Sequence, residues 1–261
     1  MIRLGPMELT TTAVTIASIS AARKLLEPFF SKLVGAVGDG FANKINDYFG
    51  GRRAVNLAAV VQRAQERAIE KGLDPSKIPL KIIHPLLEAA SLEENADLQS
   101  TWAALLANAA DPKGKIMVSS AFITILKELT PGAVRFLDCL YPSTPSGKWR
   151  RTLGAFRLEE TSIRIAFTKA GLQRVEGIPP YERDEQVTED LDRDAEDLAY
   201  LLALLKRNGI LEESPPPIDL DGFITVNEMP PPRTKADDPP TYTLTQLGIS
   251  FIDACRGPNS D

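Results

Sequence analysis

The side chains that most often do chemistry in proteins are few in this sequence and widely separated. Its only histidine, His84, stands directly before Pro85 among isoleucines and leucines. The two cysteines, Cys139 and Cys255, each lie within an apolar helical pattern. A metal site needs several ligands at close spacing, and general acid-base chemistry needs a positioned side chain with a suitable partner. We therefore expect a structural histidine at a helix bend, reduced cysteines, and neither a metal nor a cofactor.

The glycine and acidic patterns supply no ligand-binding motif either. Gly35, Gly38 and Gly40 do not follow a strand or precede a Lys-Ser/Thr pair, so they match neither a phosphate-binding loop nor a dinucleotide fingerprint. Residues 181–197 contain nine acidic residues against two arginines, a net charge of −7, without the glycine-containing spacing of a calcium loop. The run is typical of a solvated helix face. These patterns predict that the protein is not an enzyme.

One basic segment is a candidate for contact with nucleic acid or with a protein partner. Residues 147–174 carry seven cations against two acids, a net charge of +5, and aromatic residues are interleaved with the cations. Cationic side chains can bind the backbone of a nucleic-acid strand while neighbouring aromatic rings stack on its bases. A basic loop that neutralises the acidic run explains the same residues, and the overall charge of −5 favours that alternative. The candidate contact residues are Lys148, Trp149, Arg150, Arg151 and Arg157.

The chain up to about residue 130 has the periodicity of helices. An apolar stripe recurs every three or four residues across 25–49 and predicts an amphipathic helix that is entered or kinked at Pro28. Each glycine within this pattern costs about 1 kcal/mol relative to alanine, and close backbone packing is the simplest offset. Similar stripes predict helices near 57–68 and 122–129. We expect a helical bundle whose glycine-flanked stripe is a self-association surface made of Leu26, Phe30, Leu33, Val37, Phe41 and Ile45.

A further helix is predicted in the segment 79–112, which is dense in helical signals. Asn95 is placed as an N-cap, and Asp111 before Pro112 is placed as a stop. The apolar residues between them recur at helical spacing and must therefore be buried on one face. These residues are Leu98, Trp102, Leu105, Leu106 and Ala109.

The chain from residue 131 onward mixes helices, short strands and proline-rich loops. Thr130 before Pro131 predicts a helix start, and a leucine stripe across 198–205 predicts a helix that ends at Gly209. A strand at 210–211, a proline-rich loop, a strand at 242–244 and a helix capped by Thr245 follow. This order resembles a winged-helix domain. The predicted fold is mainly α, with a helical domain at 1–130 and a winged-helix-like α+β domain at 131–261 that contains the loop 214–240.

Composition and length predict a folded protein in the cytoplasm. The chain has 261 residues, of which 43% are hydrophobic and 25% charged, so it can bury a sizeable core. No stretch approaches the roughly 18 uninterrupted apolar residues of a spanning helix, because charges or prolines interrupt every candidate. The first 20 residues lack the basic start and apolar core of a secretory signal. We therefore expect a cytoplasmic protein.

Several stretches of the sequence resemble the bacterial Abi-alpha, or abortive infection alpha, family. They are PLKII from Pro79, PLLEAASLEE from Pro85, WAALLANAADP from Trp102, the run from Phe122 to Pro131, and LTQLGISFIDAC from Leu244. The similarity spans most of residues 25–255. It implies a role in abortive infection, in which an infected bacterium arrests or dies before the phage matures. The shared motif is structural, so the resemblance assigns no catalytic residue to this chain.

Three hypotheses about function follow from these patterns. The favoured one is a non-catalytic defence protein that forms a homo-oligomer and responds to a phage protein. In the second, the amphipathic segment 25–49 makes peripheral membrane contact or inserts as an effector, although its polar face is only modestly basic. In the third, the basic segment of the winged-helix-like domain binds nucleic acid and acts in regulation.

Overall fold

The computed structural model describes residues 6–37, 50–68, 74–110, 117–140, 156–158, 160–173, 185–214 and 241–256. In these ranges the protein is mainly helical, which confirms the predicted class. The helices are α1 (Pro6–Val37), α2 (Gly51–Arg67), α3 (Leu80–Leu92), α4 (Ala96–Ala109), α5 (Ser120–Glu128), α6 (Pro131–Leu140), α7 (Glu160–Lys169), α8 (Glu185–Arg207) and α9 (Gln246–Arg256). The strands are β1 (Phe156–Leu158), β2 (Leu211–Ser214) and β3 (Thr241–Leu244), and a 3-10 turn occupies Pro75–Lys77.

The chain forms two compact units, one of Met1–Val134 with Phe251–Asp261 and one of Arg135–Ser250. The division falls inside α6 and α9, whereas the predicted domains divide between residues 130 and 131. The predicted second domain includes all of α9, whereas the end of α9 from Phe251 onward belongs to the first unit. Of the predicted proline-rich loop 214–240, residues 215–240 lie outside the described ranges.

In the first unit, α2 contacts α1, α3 and α4. Apolar residues of α2 recur at helical spacing and are buried, as the sequence predicts: Leu57, Val60, Val61 and Ala64. In α4 the predicted face is buried at Leu98, Trp102, Leu105 and Leu106, while Ala109 is half-buried. The N-cap prediction for α4 is confirmed, because the Asn95 side chain accepts hydrogen bonds from the backbone N–H groups of Asp97 and Leu98.

Helix α1 differs from the prediction at its start. It begins at Pro6, whereas the sequence pattern predicts a helix from residue 25, and Pro28 lies in its interior. Proline is favoured at the first helical position because its missing N–H would have no partner there, and Pro6 is such a start signal in the sequence. Close packing is not found at Gly35, since a Cβ atom added there would have nothing within 4 Å. Gly38 and Gly40 lie outside the described residues.

The polar edge of α2 is hydrogen-bonded to the corner between α3 and α4. Arg53 Nε donates to Ser91 Oγ at 3.1 Å, and Asn56 Nδ2 donates to the Ser91 carbonyl at 3.2 Å. Arg63 Nη1 donates to Gln99 Oε1 at 2.6 Å. Ser91 and Gln99 are buried polar residues, so these bonds offset the loss of their contacts with water. The corner is therefore held to α2 by directional bonds as well as by apolar packing.

The last turn of α9 is also held by side chains of the first unit. Asn108 Nδ2, which is buried, donates to the Ala254 carbonyl at 2.8 Å. Arg67 donates from Nη1 to the Arg256 carbonyl at 3.1 Å and from Nη2 to Ser100 Oγ at 2.7 Å. The final carbonyls of a helix have no partner within the helix, so these donors satisfy groups that would otherwise need water.

The second unit contains a three-stranded antiparallel sheet in the order β1-β3-β2. Leu244 lies in register with Phe156 on one side and with Leu211 on the other. Helix α8 ends as predicted, with Gly209 at φ +68°, a conformation that glycine adopts at little cost. The Thr245 cap is also confirmed, since Gly248 N donates to Thr245 Oγ1 at 2.9 Å.

A matched pair of glycine substitutions tests the close approach of α9 to the residue before β2. A Cβ atom on Gly248 would lie 2.3 Å from the Ile210 carbonyl oxygen, so Gly248→Ala should lower the free energy of unfolding by about 1–3 kcal/mol. Gly35→Ala fills open space inside α1 and should raise it by about 0.5–1 kcal/mol. Denaturant unfolding followed by circular dichroism measures both. Equal effects at the two positions would contradict this account.

Candidate interaction surfaces

The predicted self-association stripe lies partly in the core of the first unit. Leu26, Phe30 and Leu33 are at most 3% exposed, on a helix that contacts α2 and the 3-10 turn. The rings of Phe29 and Phe30 pack edge to face with centroids 5.5 Å apart. Intramolecular packing accounts for these three side chains, so a second copy could reach them only if α1 moved. Self-association through the stripe stays a prediction.

The rest of the stripe and most of the contact residues of the basic segment lie at the end of α1 or outside the described residues. Val37 is the last residue of α1, and Phe41 and Ile45 lie outside the described residues. Lys148, Trp149, Arg150 and Arg151 also lie outside them. Arg157 is the central residue of β1, in register with Thr243 of β3. Of the predicted contact residues of the basic segment, Arg157 alone falls within the described residues, and the role of all five stays a prediction.

The residues considered for metal or acid-base chemistry are dispersed. His84 is half-buried inside α3, where Pro85 follows it within the helix. Cys139 and Cys255 are both half-buried, and neither forms a disulfide. Among the described residues, no group of three or more histidine, cysteine, aspartate or glutamate side chains is placed to hold a metal ion.

The exposed side of α8 is a candidate that sequence reasoning missed. One face of this helix is buried through Leu201, Leu202 and Leu205, as predicted. On the opposite face Tyr200 is 66% exposed, the largest exposed aromatic side chain among the described residues. The exposed residues along this face follow one another at intervals of four and three: Glu189, Arg193, Glu196, Tyr200, Ala203 and Arg207. We call these six residues the α8 line. The sequence already indicates that Tyr200 is exposed, because Tyr200 falls outside the leucine stripe that is predicted to be buried.

Charge changes sign along α8. Its first part contains residues 185–197 of the acidic run, and its last turn contains Lys206 and Arg207. This order matches the helix dipole, which favours anions near the first turn and cations near the last. Arg193 forms ion pairs with Glu189 Oε2 at 3.2 Å and Asp190 Oδ1 at 3.1 Å. Such surface pairs contribute little to stability.

Lys206 lies beside the strands that follow α8. Its Nζ is 2.5 Å from Glu213 Oε2 in β2 and 5.9 Å from the centre of the Tyr242 ring in β3. The hydrogen bond to Glu213 raises the pKa of Lys206, with smaller contributions from the charges of Glu213 and Tyr242. Because the folded-state pKa is raised, the associated stabilisation is present below the unfolded-state pKa and is lost as pH rises through the folded-state value.

Comparison with known proteins relates the chain to a protein family. A profile of one protein family, described as abortive infection alpha, matches residues 52–255. The matched range includes α2 through nearly all of α9 and begins after α1. No curated protein and no solved structure matched the chain.

Neighbouring glutamates of β2 provide a test of the Lys206 contact. Glu213→Gln should move the pKa of Lys206 down toward its ordinary value, because it removes the charged acceptor. Glu212→Gln is the matched control, since successive side chains of a strand point to opposite faces and Glu212 is also exposed. Side-chain NMR titration of Lys206 measures both. Equal shifts from the two variants would contradict the contact, and neither should change the midpoint of unfolding appreciably.

Proposed function

The chain belongs to the abortive infection alpha family, and from this we propose that it is a bacterial antiphage defence protein that works by protein interaction and self-assembly rather than by catalysis. The family match carries the defence assignment, because it extends over nearly all of the described fold from α2 to α9. In this proposal a phage protein triggers the chain, and the infected cell stops growing or dies before phage matures.

The non-catalytic part of the proposal is supported by what the polar side chains of the first unit do. Arg53 and Arg63 bond the corner between α3 and α4, while Arg67 and Asn108 bond the end of α9. These groups, which could otherwise bind an anion or polarise a substrate, are engaged in structural bonds. The exposed Tyr200, in contrast, is an aromatic side chain of the kind enriched at protein interfaces.

We also propose finer descriptions of the two units. The packing of α2 against α1, α3 and α4 supports a helical bundle for the first unit. For the second unit, the strand order β1-β3-β2 supports a winged-helix arrangement, because α7 and α8 both lie between β1 and β2 in the chain. In such an arrangement α8 takes the place of the recognition helix, the second helix of the helix-turn-helix.

The winged-helix arrangement favours nucleic-acid binding as a second candidate function. Against it stands the charge of α8, whose exposed residues include Glu189, Asp192 and Glu196. Phosphates would be repelled where a recognition helix normally approaches them. A nucleic-acid role would therefore have to use the basic segment with Trp149, Arg150 and Arg151 instead of α8.

The membrane-active alternative would require a different conformation. Leu26, Phe30 and Leu33, which would enter the lipid, are buried within the first unit. The described helices include none that is long and apolar enough to cross a membrane. Membrane contact through this stripe would thus begin with the separation of α1 from α2, which would expose apolar faces on both helices.

A phage challenge at two multiplicities tests the defence proposal. At low multiplicity, a culture expressing the chain should survive while a vector control lyses, because the few infected cells stop before releasing phage. At high multiplicity, the same culture should stop growing, with fewer infective centres than the control. Growth curves and infective-centre counts measure both. Healthy growth at both multiplicities, or equal phage yield with and without the chain, would contradict abortive infection.

Gel retardation with DNA and RNA separates the proposal from the nucleic-acid alternative. We expect no retardation by the native chain at about 150 mM salt, because the net charge is −5 and α8 is acidic. Should retardation occur, the joint substitution of Arg150, Arg151 and Arg157 by alanine decides its origin. The matched control replaces three exposed lysines elsewhere, Lys77, Lys81 and Lys127. Retardation lost only in the arginine variant would favour the regulator.

A further inference from the structure

The four residues at the C-terminal end of the α8 line have the spacing of a helix-pairing seam. Glu196, Tyr200, Ala203 and Arg207 are separated by four, three and four residues, which are the alternating steps of a heptad. All four are exposed, while the leucines of the opposite face are buried in the second unit. A helix with this spacing presents one continuous line of side chains over about 17 Å to a partner helix.

The residue types along this seam are complementary to themselves when two copies are antiparallel. An antiparallel pair places Glu196 of one copy opposite Arg207 of the other, and Tyr200 opposite Ala203. Two-fold symmetry repeats both contacts, so each large ring lies against a small residue and each acid against a cation. A guanidinium has five N–H donors, so Arg207 can bond Glu196 of a second copy in addition to its interaction within its own chain.

A parallel pair would bring like charges together. Glu196 would lie opposite Glu196, Arg207 opposite Arg207, and the acidic run opposite itself. Like charges at a contact are destabilising, and the acidic run of α8 would increase that penalty. The charge order along α8 therefore selects the antiparallel orientation.

We propose that the exposed face of α8 is the docking site for a second copy of this chain, paired antiparallel through Glu196, Tyr200, Ala203 and Arg207. The inference rests on the self-assembly part of the proposed function and assigns to it a surface different from the stripe of α1. In a winged-helix arrangement, α8 would thus contact a protein, whereas other such domains present the equivalent helix to DNA.

The contact should be weak and dependent on concentration. Stable interfaces bury about 1,200–2,000 Å² in total, and three turns of one helix pair bury less than that range. The dimer is thus expected to form at micromolar or higher concentrations, so that assembly follows the amount of protein in the cell. With an interface of this strength, the chain would stay monomeric when its concentration in the cell is low.

Charge reversal on the full chain tests the pairing. Glu196→Arg and Arg207→Glu should each weaken the dimer at least tenfold, because each places like charges in contact at two symmetric positions. The double variant, Glu196→Arg with Arg207→Glu, should restore it, since an antiparallel pair regains both ion pairs. An equal mixture of the two single variants should form heterodimers. Sedimentation equilibrium between about 1 and 200 µM measures each case.

Matched controls separate the α8 contact from general effects of charge. Glu88→Arg and Lys81→Glu reverse exposed charges on α3 and should leave the mass unchanged. Tyr200→Ala should weaken the dimer, whereas Leu92→Ala, at a residue 63% exposed on α3, should not. Circular dichroism of each variant reports its fold, and recovery of the dimer in the double variant and in the mixture excludes misfolding as the cause.

Each outcome bears on the proposal. A wild-type chain that is monomeric throughout, a dimer unaffected by Glu196→Arg, or a double variant that fails to pair would overturn it. If substitutions in α1 abolished the dimer and those in α8 did not, the contact would lie on α1 and the proposal would be wrong. The mass measurements need no phage, so the pairing and the defence role can fail separately: a dimer with the expected charge dependence but no phage protection would overturn only the proposed function.

Discussion

The burial of the apolar face of α2 is the constraint on which the first unit depends. Leu57, Val60 and Val61 are fully buried, and their helix contacts α1, α3 and α4. The arginines and Asn56 on its polar edge fix the corner between α3 and α4, so apolar packing and hydrogen bonding act on the same helices. Apolar burial supplies the larger stabilisation but is non-directional, whereas the hydrogen bonds define the geometry of the corner. Among the described residues, no buried side-chain nitrogen or oxygen lacks a hydrogen-bond partner.

Helix α9 shows how local signals and long-range contacts combine. Its start is defined within the second unit by the Thr245 cap and by the approach of Gly248 to the Ile210 carbonyl. Its end is defined within the first unit, where Asn108 and Arg67 donate to its final carbonyls. The cap could be predicted because it involves residues three apart in the chain. The donors at the other end could not, since Asn108 is 146 residues away from its acceptor in sequence.

Burial distinguishes the two candidate interaction surfaces, the stripe of α1 and the exposed face of α8. Spacing alone favoured the stripe of α1, because any amphipathic helix has an apolar face that must be covered. In the structure Leu26, Phe30 and Leu33 of that stripe are covered by the chain itself, while Tyr200 on the polar side of α8 is exposed. An exposed aromatic residue on the charged face of a helix is a more selective indication of a partner than an apolar stripe, which a core explains equally well.

The sequence by itself determined the mainly helical class, the positions of most helices, the caps at Asn95 and Thr245, the end of α8 at Gly209, and the family. These features depend on residues within one or two turns of each other, so local spacing and capping chemistry suffice. Only the tertiary structure decided which apolar face is core, which polar side chains hold the corner between α3 and α4, and that β3 lies between β1 and β2. Those outcomes depend on contacts between residues far apart in the chain, which local pattern does not encode.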